Sequence, residues 1–423
     1  MNILNYNLPK AHFHTLIELV NSGHTVYTNY HDTHTYEPSF GINLIDNEDN
    51  NIVCLSAMPN YADEQYEEIK KNLIDLTERL IDEHNIDVLQ VCIPTAAYLY
   101  EHFADKVKYI GPSEESSRLE TDKAYAKFLA HDMGFNVPRI IRSGKYSDDN
   151  YCQDLQFPCI EKPSYIWNPA CIMNSQKDAD RAIELFKNRE YPKYKDMHYY
   201  IEEYLHDILE TNVFFVVSNG EFAITHTQQI IGENLNKTVD GNVWYLGSYI
   251  KPLSKEHDEL VRKEAVKFLK QIAKRGEYWE GSFCGAITPD NKWYFLELNV
   301  RPDIFNSTPT FMTGDEYLDG MFDDVSMFET AWENKNIQKL LITIEDNSIE
   351  YPIHLHNKYN VSYPNNLHID AHGKYVCSNF GVTNHDDQIT GAGTVIADHD
   401  IPKEFIKEIE ETTDWTFNEE PNL

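Results

Sequence analysis

Three polar residues alternate near the end of one short stretch: Glu297, Asn299 and Arg301 within KWYFLELNVRPD, Lys292 to Asp303. On an extended strand, residues two apart share a face and lie about 6.5–7 Å apart, so Glu297 and Asn299 direct their oxygens into one small volume. Two hard oxygen donors on a rigid strand suit Mg²⁺, which completes its shell with water and phosphate oxygens. Arg301 continues the face, where a guanidinium can grip a phosphate or carboxylate through two parallel hydrogen bonds. The same pattern also describes a hairpin strand that follows the turn Pro289-Asp290-Asn291, buries Trp293, Phe295 and Val300, and leaves a solvated polar face.

Other charged residues stand where phosphate could be met. Lys162 ends a strand over Pro158 to Lys162, beside the loop Ser164 to Ala170, and a lysine at a strand end is a usual point charge for a nucleotide phosphate. Lys123 and Lys127 lie on a helix that Ser113 caps and that ends around Gly134. Each of these lysines also fits an ordinary surface position. Glu202 and Glu203, adjacent on the strand Tyr199 to Leu205, face opposite ways and so do separate jobs. His354 and His356 share a strand face but have no third ligand in evidence, which favours structural histidines.

The elements that must position these residues follow from hydrophobic periodicity. Residues 1 to 110 alternate strands and helices in the manner of an α/β layer fold. Strands are predicted at Asn2 to Tyr6, Thr25 to Tyr30, Ile52 to Ser56, Asp87 to Ile93 and Val107 to Ile110. Helices are predicted at His12 to Ser22, closed by Gly23, and at Asp63 to His84, with Ile69, Leu73, Leu76 and Leu80 on one stripe. The turn Asn7 to Lys10 has no glycine for a pyrophosphate to approach, which argues against dinucleotide binding. Farther on, Asn212 to Val217 and Glu221 to Thr227 form a hairpin across Ser218-Asn219-Gly220. A helix from Glu256 to Gly276 and strands over Ser282 to Thr288 and Trp293 to Val300 complete the sheet.

Composition bounds the function. The 423 residues, 41% hydrophobic and 13% aromatic, suit a folded protein of roughly two to four domains. A formal charge of −33 repels polyanions, so nucleic acid is an unfavourable partner. Seven cysteines without C-x-x-C spacing read as reduced thiols of a cytoplasmic protein. No apolar run reaches about 18 residues and no charged leader precedes the first strand, so neither a membrane span nor secretion is expected.

Taken together, "IGPSEESSRLETDKAYAKFLAHDMGFNVP", "FPCIEKP", "YIEEYLHDILETNVFFVVSNGEF" and "GAITPDNKWYFLELNVRPD" resemble the ATP-grasp superfamily, and within it the phosphoribosylamine–glycine ligases of purine biosynthesis. The resemblance implies a mixed α/β (α+β) ATP-grasp fold. Its parts would be an N-terminal Rossmann-like α/β domain over 1–110, an ATP-grasp domain over 111–325 and a C-terminal β-rich domain over 326–423. It implies ATP and Mg²⁺ as cofactors, with Lys123 and Lys162 on the phosphates and the hinge Glu203, Tyr204 and Leu205 at the adenine. Glu210 would reach the ribose hydroxyls, Glu297 and Asn299 would ligate Mg²⁺, and Arg301 with Lys162 would act on the transferred phosphate. The implied reaction joins a small-molecule carboxylate, glycine first, to an amine through an acyl phosphate.

The sequence also departs from that family. Ser164 to Ala170 lacks the glycines of a phosphate-clamping loop. Gln228 to Gly232 and Gly241 to Tyr249 replace a charged, glycine-rich substrate segment with apolar and aromatic residues. These changes point to an altered amine, and they leave open a different phosphotransferase of the superfamily or a degenerate ATP-binding module.

Overall fold

The computed structural model describes residues 1–6, 13–29, 41–56, 63–145, 154–163, 171–180, 198–231, 238–239, 242–243, 249–302, 312–333, 338–344, 378–383, 389–397 and 415–417, with Glu404, Lys407 and Glu411. Strands β1 (Asn2–Tyr6), β2 (Thr25–Thr28), β3 (Asn43–Leu44), β4 (Val88–Val91) and β5 (Lys108–Ile110) form an all-parallel sheet in the order β3-β2-β1-β4-β5. Every residue of β4 is buried, as expected of a parallel strand covered on both faces. The helix Asp63–His84 lies where its stripe predicts, with Leu73, Leu76 and Leu80 in the core beside Leu89 and Val91.

One predicted strand of this region is a helix. Ile52 to Ser56 ends the helix Asn47–Ser56, and the edge strand of the sheet is β3 instead. Buried Asp49, Val53 and Ser56 recur at helical spacing, and Asp46 starts the helix by accepting the backbone N–H of Asp49 at 2.9 Å. The short apolar run Ile52-Val53 fits either period, so only the capping aspartate separates the two readings.

The remaining strands are β6 (Ile140–Lys145), β7 (Cys159–Pro163), β8 (Cys171–Met173), β9 (His198–Glu203), β10 (Leu209–Ser218), β11 (Glu221–Ile231), β12 (Thr238–Val239), β13 (Asn242–Val243), β14 (Tyr249–Lys251), β15 (Tyr278–Ile287), β16 (Trp293–Asn299), β17 (Gln338–Ile344), β18 (Ser378–Thr383), β19 (Ile389–Ala397) and β20 (Trp415–Phe417). One sheet has the order β12-β13-β8-β7-β9-β6. A second runs β16-β15-β10-β11-β14-β17-β19-β18, with β20 also on β17. The β10–β11 hairpin turns at Asn219 and Gly220, whose φ values of 51° and 87° match the left-handed pair that such a turn requires. Among the described residues no helix is long and apolar enough to cross a membrane, and Cys92 and Cys159 are buried free thiols.

One face of the second sheet packs on the helices Glu114–Thr121, Lys123–Asp132 and Lys255–Ile272, burying Val213, Phe215, Phe283, Trp293, Phe295, Leu298 and Val300 together. In β16 the inward residues change parity, from Trp293 and Phe295 to Leu298 and Val300. A β-bulge does this: Gly285 pairs with Phe295 and Cys284 with Glu297, leaving Leu296 as the extra residue. Beyond the bulge Glu297 and Asn299 therefore turn away from the core, although an unbroken strand would place them with Trp293. Gly285 sits under the Trp293 indole, whose Nε1 donates to Thr211 Oγ1 at 3.1 Å, and a Cβ at 285 would overlap the ring. Gly285→Ala should therefore displace Trp293 and cost about 1–3 kcal/mol. Denaturant unfolding checks this, and a variant as stable as the parent would refute the packing role.

Candidate functional site

Elements far apart in sequence bring the predicted residues together. The helix that Ser113 caps is two helices: Ser113 Oγ accepts from Ser116 N, and the first helix, Glu114–Thr121, stops at Asp122. Asp122 leaves the helical region at φ −127° and ψ 80° and caps the second helix, Lys123–Asp132, accepting from Tyr125 N at 3.0 Å. The expected single helix from Ser113 to Gly134 breaks because an aspartate just before a new turn satisfies N–H groups that a continuous helix would satisfy itself. Glu120 lies on one side of the break and Lys123 and Lys127 on the other.

Glu120 locks the end of the β16 segment. Its buried carboxylate accepts the backbone N–H of Val300 at 2.8 Å and Arg301 Nε at 2.9 Å. Burial raises its pKa, and the Arg301 charge and the Val300 N–H act against that rise. Arg301 is thus held by one edge of its guanidinium before any ligand is considered.

Around Glu297 and Glu202 the lysines gather. Lys123 Nζ lies 3.3 Å from Glu297 Oε2. That lysine above all, with Lys162 and Lys127 adding to it against desolvation, holds the Glu297 carboxyl down to about 2. Lys127, one helical turn after Lys123, is fully buried and lies 2.8 Å from Glu202 Oε2. The other oxygen of Glu202 takes Lys162 Nζ at 2.9 Å. Burial pushes the Lys127 ammonium down to about 8, a fall that Glu202 moderates. For Lys162 burial works downward too, but Glu202, Glu297 and Glu210 outweigh it and raise the pKa. Burial works to raise the Glu202 pKa, and its two lysines more than cancel that and lower it.

Lys123, Lys162, Glu210, Glu297, Asn299 and Arg301 therefore belong to one neighbourhood. The Glu203, Tyr204 and Leu205 segment leaves the end of β9 right after Glu202. The Glu203 carboxylate accepts from Arg139 N at 2.9 Å, and the Tyr204 ring meets His206 edge-on at 4.8 Å. Sequence reasoning missed Glu120, Lys127 and Glu202 as parts of the site. The four-residue spacing of Lys123 and Lys127 is the one signal that could have joined them, since it puts both on one helical face. The loop Ser164 to Ala170, the turn Asn7 to Lys10, Gly241, Trp244 to Ser248, His354 and His356 lie outside the described residues.

The donor set fits a hard cation. Among the described residues there is no cluster of three or more His, Cys, Asp or Glu arranged for a metal. Glu297 with Asn299 offers one carboxylate and one amide oxygen, enough for Mg²⁺ held mainly by phosphate and water. Ser282 Oγ accepts from Asn299 Nδ2 at 3.1 Å, which fixes the orientation of that amide.

The Glu297 pair has a pH signature. With its pKa lowered from 4.5 to about 2, Glu297 stays ionised in the folded chain at a pH where the unfolded chain has taken up the proton. The stability it contributes is thus complete above pH 4.5 and lost as pH falls towards 2. Denaturant midpoints across that window should fall less steeply for Glu297→Gln than for the parent, and equal slopes would remove the ion pair from the account.

No protein-family model matches the sequence, and no curated protein matches it. Solved structures do. An L-amino acid ligase from Bacillus licheniformis matches with a TM-score of 0.67 over 99% of both chains at 12% identity. A biotin carboxylase from Campylobacter jejuni matches at 0.60, over 97% of this chain and 90% of that one, at 15% identity. A phosphoribosylamine–glycine ligase from Thermotoga maritima matches at 0.58, over 97% and 96%, at 14% identity. At such identities the likeness is one of fold. The mixed α/β architecture and the likeness to the ATP-grasp fold that the motifs implied are both borne out.

Proposed function

We propose that the chain is an ATP- and Mg²⁺-dependent carboxylate–amine ligase that makes an amide through an acyl phosphate and releases ADP. The observation that carries this reading is the meeting of Lys123, from a helix, and Lys162, from β7, beside the strand end that bears Glu297, Asn299 and Arg301. The full-length fold likeness to an L-amino acid ligase and a phosphoribosylamine–glycine ligase supports it.

A carboxylate is a poor electrophile. Transfer of the γ-phosphoryl group onto one of its oxygens makes the carbonyl carbon open to attack, and an amine then displaces inorganic phosphate to leave the amide. The first step needs positioning and charge neutralisation more than covalent help from the protein. Lys123 and Lys162 would hold the phosphates, with Glu203, Tyr204 and Leu205 at the adenine and Glu210 towards the ribose. Glu297 and Asn299 would hold Mg²⁺, which when bound takes up phosphate charge. Glu297 would hold the metal in place of its lysine partner, which would leave Lys123 for a phosphate. Arg301, already fixed by Glu120, faces the transferred group. Alignment of nucleophile and acceptor can lower the barrier by about 7–11 kcal/mol.

Glycine is the first acid to test. The amine differs from phosphoribosylamine, because the charged segment that would meet a 5-phosphate is replaced by Val243-Trp244-Tyr245-Leu246. The experiment is ADP release from MgATP with glycine and a panel of amines. Acid-dependent release should appear, and Glu297→Gln should nearly abolish it while the protein stays folded. Lys123→Met and Lys162→Met should each weaken ATP binding roughly 10- to 100-fold, the loss of about 1.5–3 kcal/mol for one charge-assisted contact. MgATP binding without acid-dependent release would instead make the chain a binding module, and acid-dependent release that no amine alters would make it a phosphotransferase.

A further inference from the structure

The face of the second sheet turned away from its helix-packed core carries two buried side-chain amides that the proposed reaction does not use. Asn212 on β10 and Gln228 on β11 stand opposite each other in the antiparallel ladder, and the same transverse row continues through Cys284 to Glu297. Their neighbours Thr211 and Val213 face the core, where Thr211 accepts from Trp293 and Val213 joins the apolar cluster, so Asn212 faces the other way, as Glu297 does. Both amides are 1% exposed. Among the described residues Asn212 Oδ1, Gln228 Oε1 and Gln228 Nε2 have no hydrogen-bond partner. An orphaned buried polar group destabilises a fold, and two adjacent ones call for a ligand or a trapped water to complete them.

Their setting limits what that ligand can be. On one side stands an aromatic wall, with His226 stacked between Phe214 at 4.4 Å and Trp332 at 3.9 Å. On the other side Glu210, two residues before Asn212, acts on Lys162. We propose that Asn212 and Gln228 form a subsite for a neutral carboxamide on the amine substrate, an inference that rests on the ligase reading. The three orphaned atoms are two acceptors and one donor. A carboxamide offers N–H to the acceptors and C=O to the donor, and it completes all three. A carboxylate would meet two carbonyl oxygens with Glu210 close by, and an ammonium would leave Gln228 Nε2 unmatched. Rotating either side-chain amide exchanges N for O, but a pair offering both donors and acceptors remains.

Distance assigns the subsite to the amine. Neighbouring strands lie about 4.8 Å apart, so along the row Asn212 is about 10 Å and Gln228 about 14 Å from the position of Glu297. A small acid held at the metal residues ends well short of that. An amine of amino-acid length that attacks the acyl carbon would reach it with the end that does not react.

The test uses saturating MgATP and glycine, with amine-dependent ADP release measured for L-glutamine, L-glutamate and L-methionine, and the glycyl product verified by mass. The parent should favour L-glutamine over both relatives of similar length by at least about 100-fold in kcat/KM, since a site built for hydrogen bonds rejects analogues that lack them. Gln228→Leu should bring the three within about tenfold, leave the MgATP dissociation constant unchanged and not lower thermal stability, because it removes an orphan instead of a bond. A parent that does not prefer L-glutamine overturns the subsite. So does a Gln228→Leu variant that melts earlier with its preference intact, the behaviour of an amide completed by trapped water. Absence of glycine-dependent ADP release with any amine overturns the ligase reading itself, and the subsite falls with it.

Discussion

One extra residue in β16 sets the geometry on which the site depends. A regular strand from Trp293 to Asn299 would bury Glu297 and Asn299 in the aromatic core or else expose Trp293 and Phe295. With Leu296 unpaired opposite the Cys284–Gly285 step, the core receives Trp293 and Phe295 before the bulge and Leu298 and Val300 after it, while Glu297 and Asn299 turn to the other face. Gly285 makes this possible at close range, since the Trp293 indole occupies the space of a side chain there. The same sheet thus provides a packed aromatic layer against the helix Lys255–Ile272 and, on its reverse, a polar row from Glu297 to Gln228.

The charges above that row obey the rule that buried ions need partners. Glu202 links Lys127 to Lys162, Glu297 holds Lys123, and Glu120 holds Arg301. In a chain of formal charge −33, long-range electrostatics oppose a polyphosphate, so attraction has to be local. Pairing each cation with a carboxylate keeps the cluster folded in the absence of ligand. It also keeps the cations within reach of one another, so an incoming anion meets them already ordered.

Fold likeness and site chemistry carry different information. The solved structures that cover nearly the whole chain share only 12–15% identity with it, and they differ among themselves in the reactions their names describe. What they have in common is an arrangement of sheets. An architecture shared at such identities does not specify side chains, and the unmet hydrogen bonds of the buried Asn212 and Gln228 amides have to be read from this chain itself.

Much of the framework was legible in the sequence because its signals are local. The stripe of Asp63–His84 and the Asn219–Gly220 turn each lie within one short stretch, where period and turn chemistry act directly. The helix at Ile52 to Ser56 and the break at Asp122 were not, because a short apolar run suits two periods and a capping aspartate looks like any exposed acid. Partners were illegible for a different reason. Glu120 reaches Val300 and Arg301 across 180 and 181 residues, and Glu297 and Glu202 meet their lysines across shorter separations that are still nonlocal. Periodicity tells which face a residue joins, but not what comes to meet that face. The sequence by itself therefore determined most of the elements and which charged residues each one carries. Only the tertiary structure decided that Lys127 is a buried counter-ion of Glu202 while Lys123, four residues away, pairs with Glu297, since that choice depends on which distant strand packs over each turn of the helix.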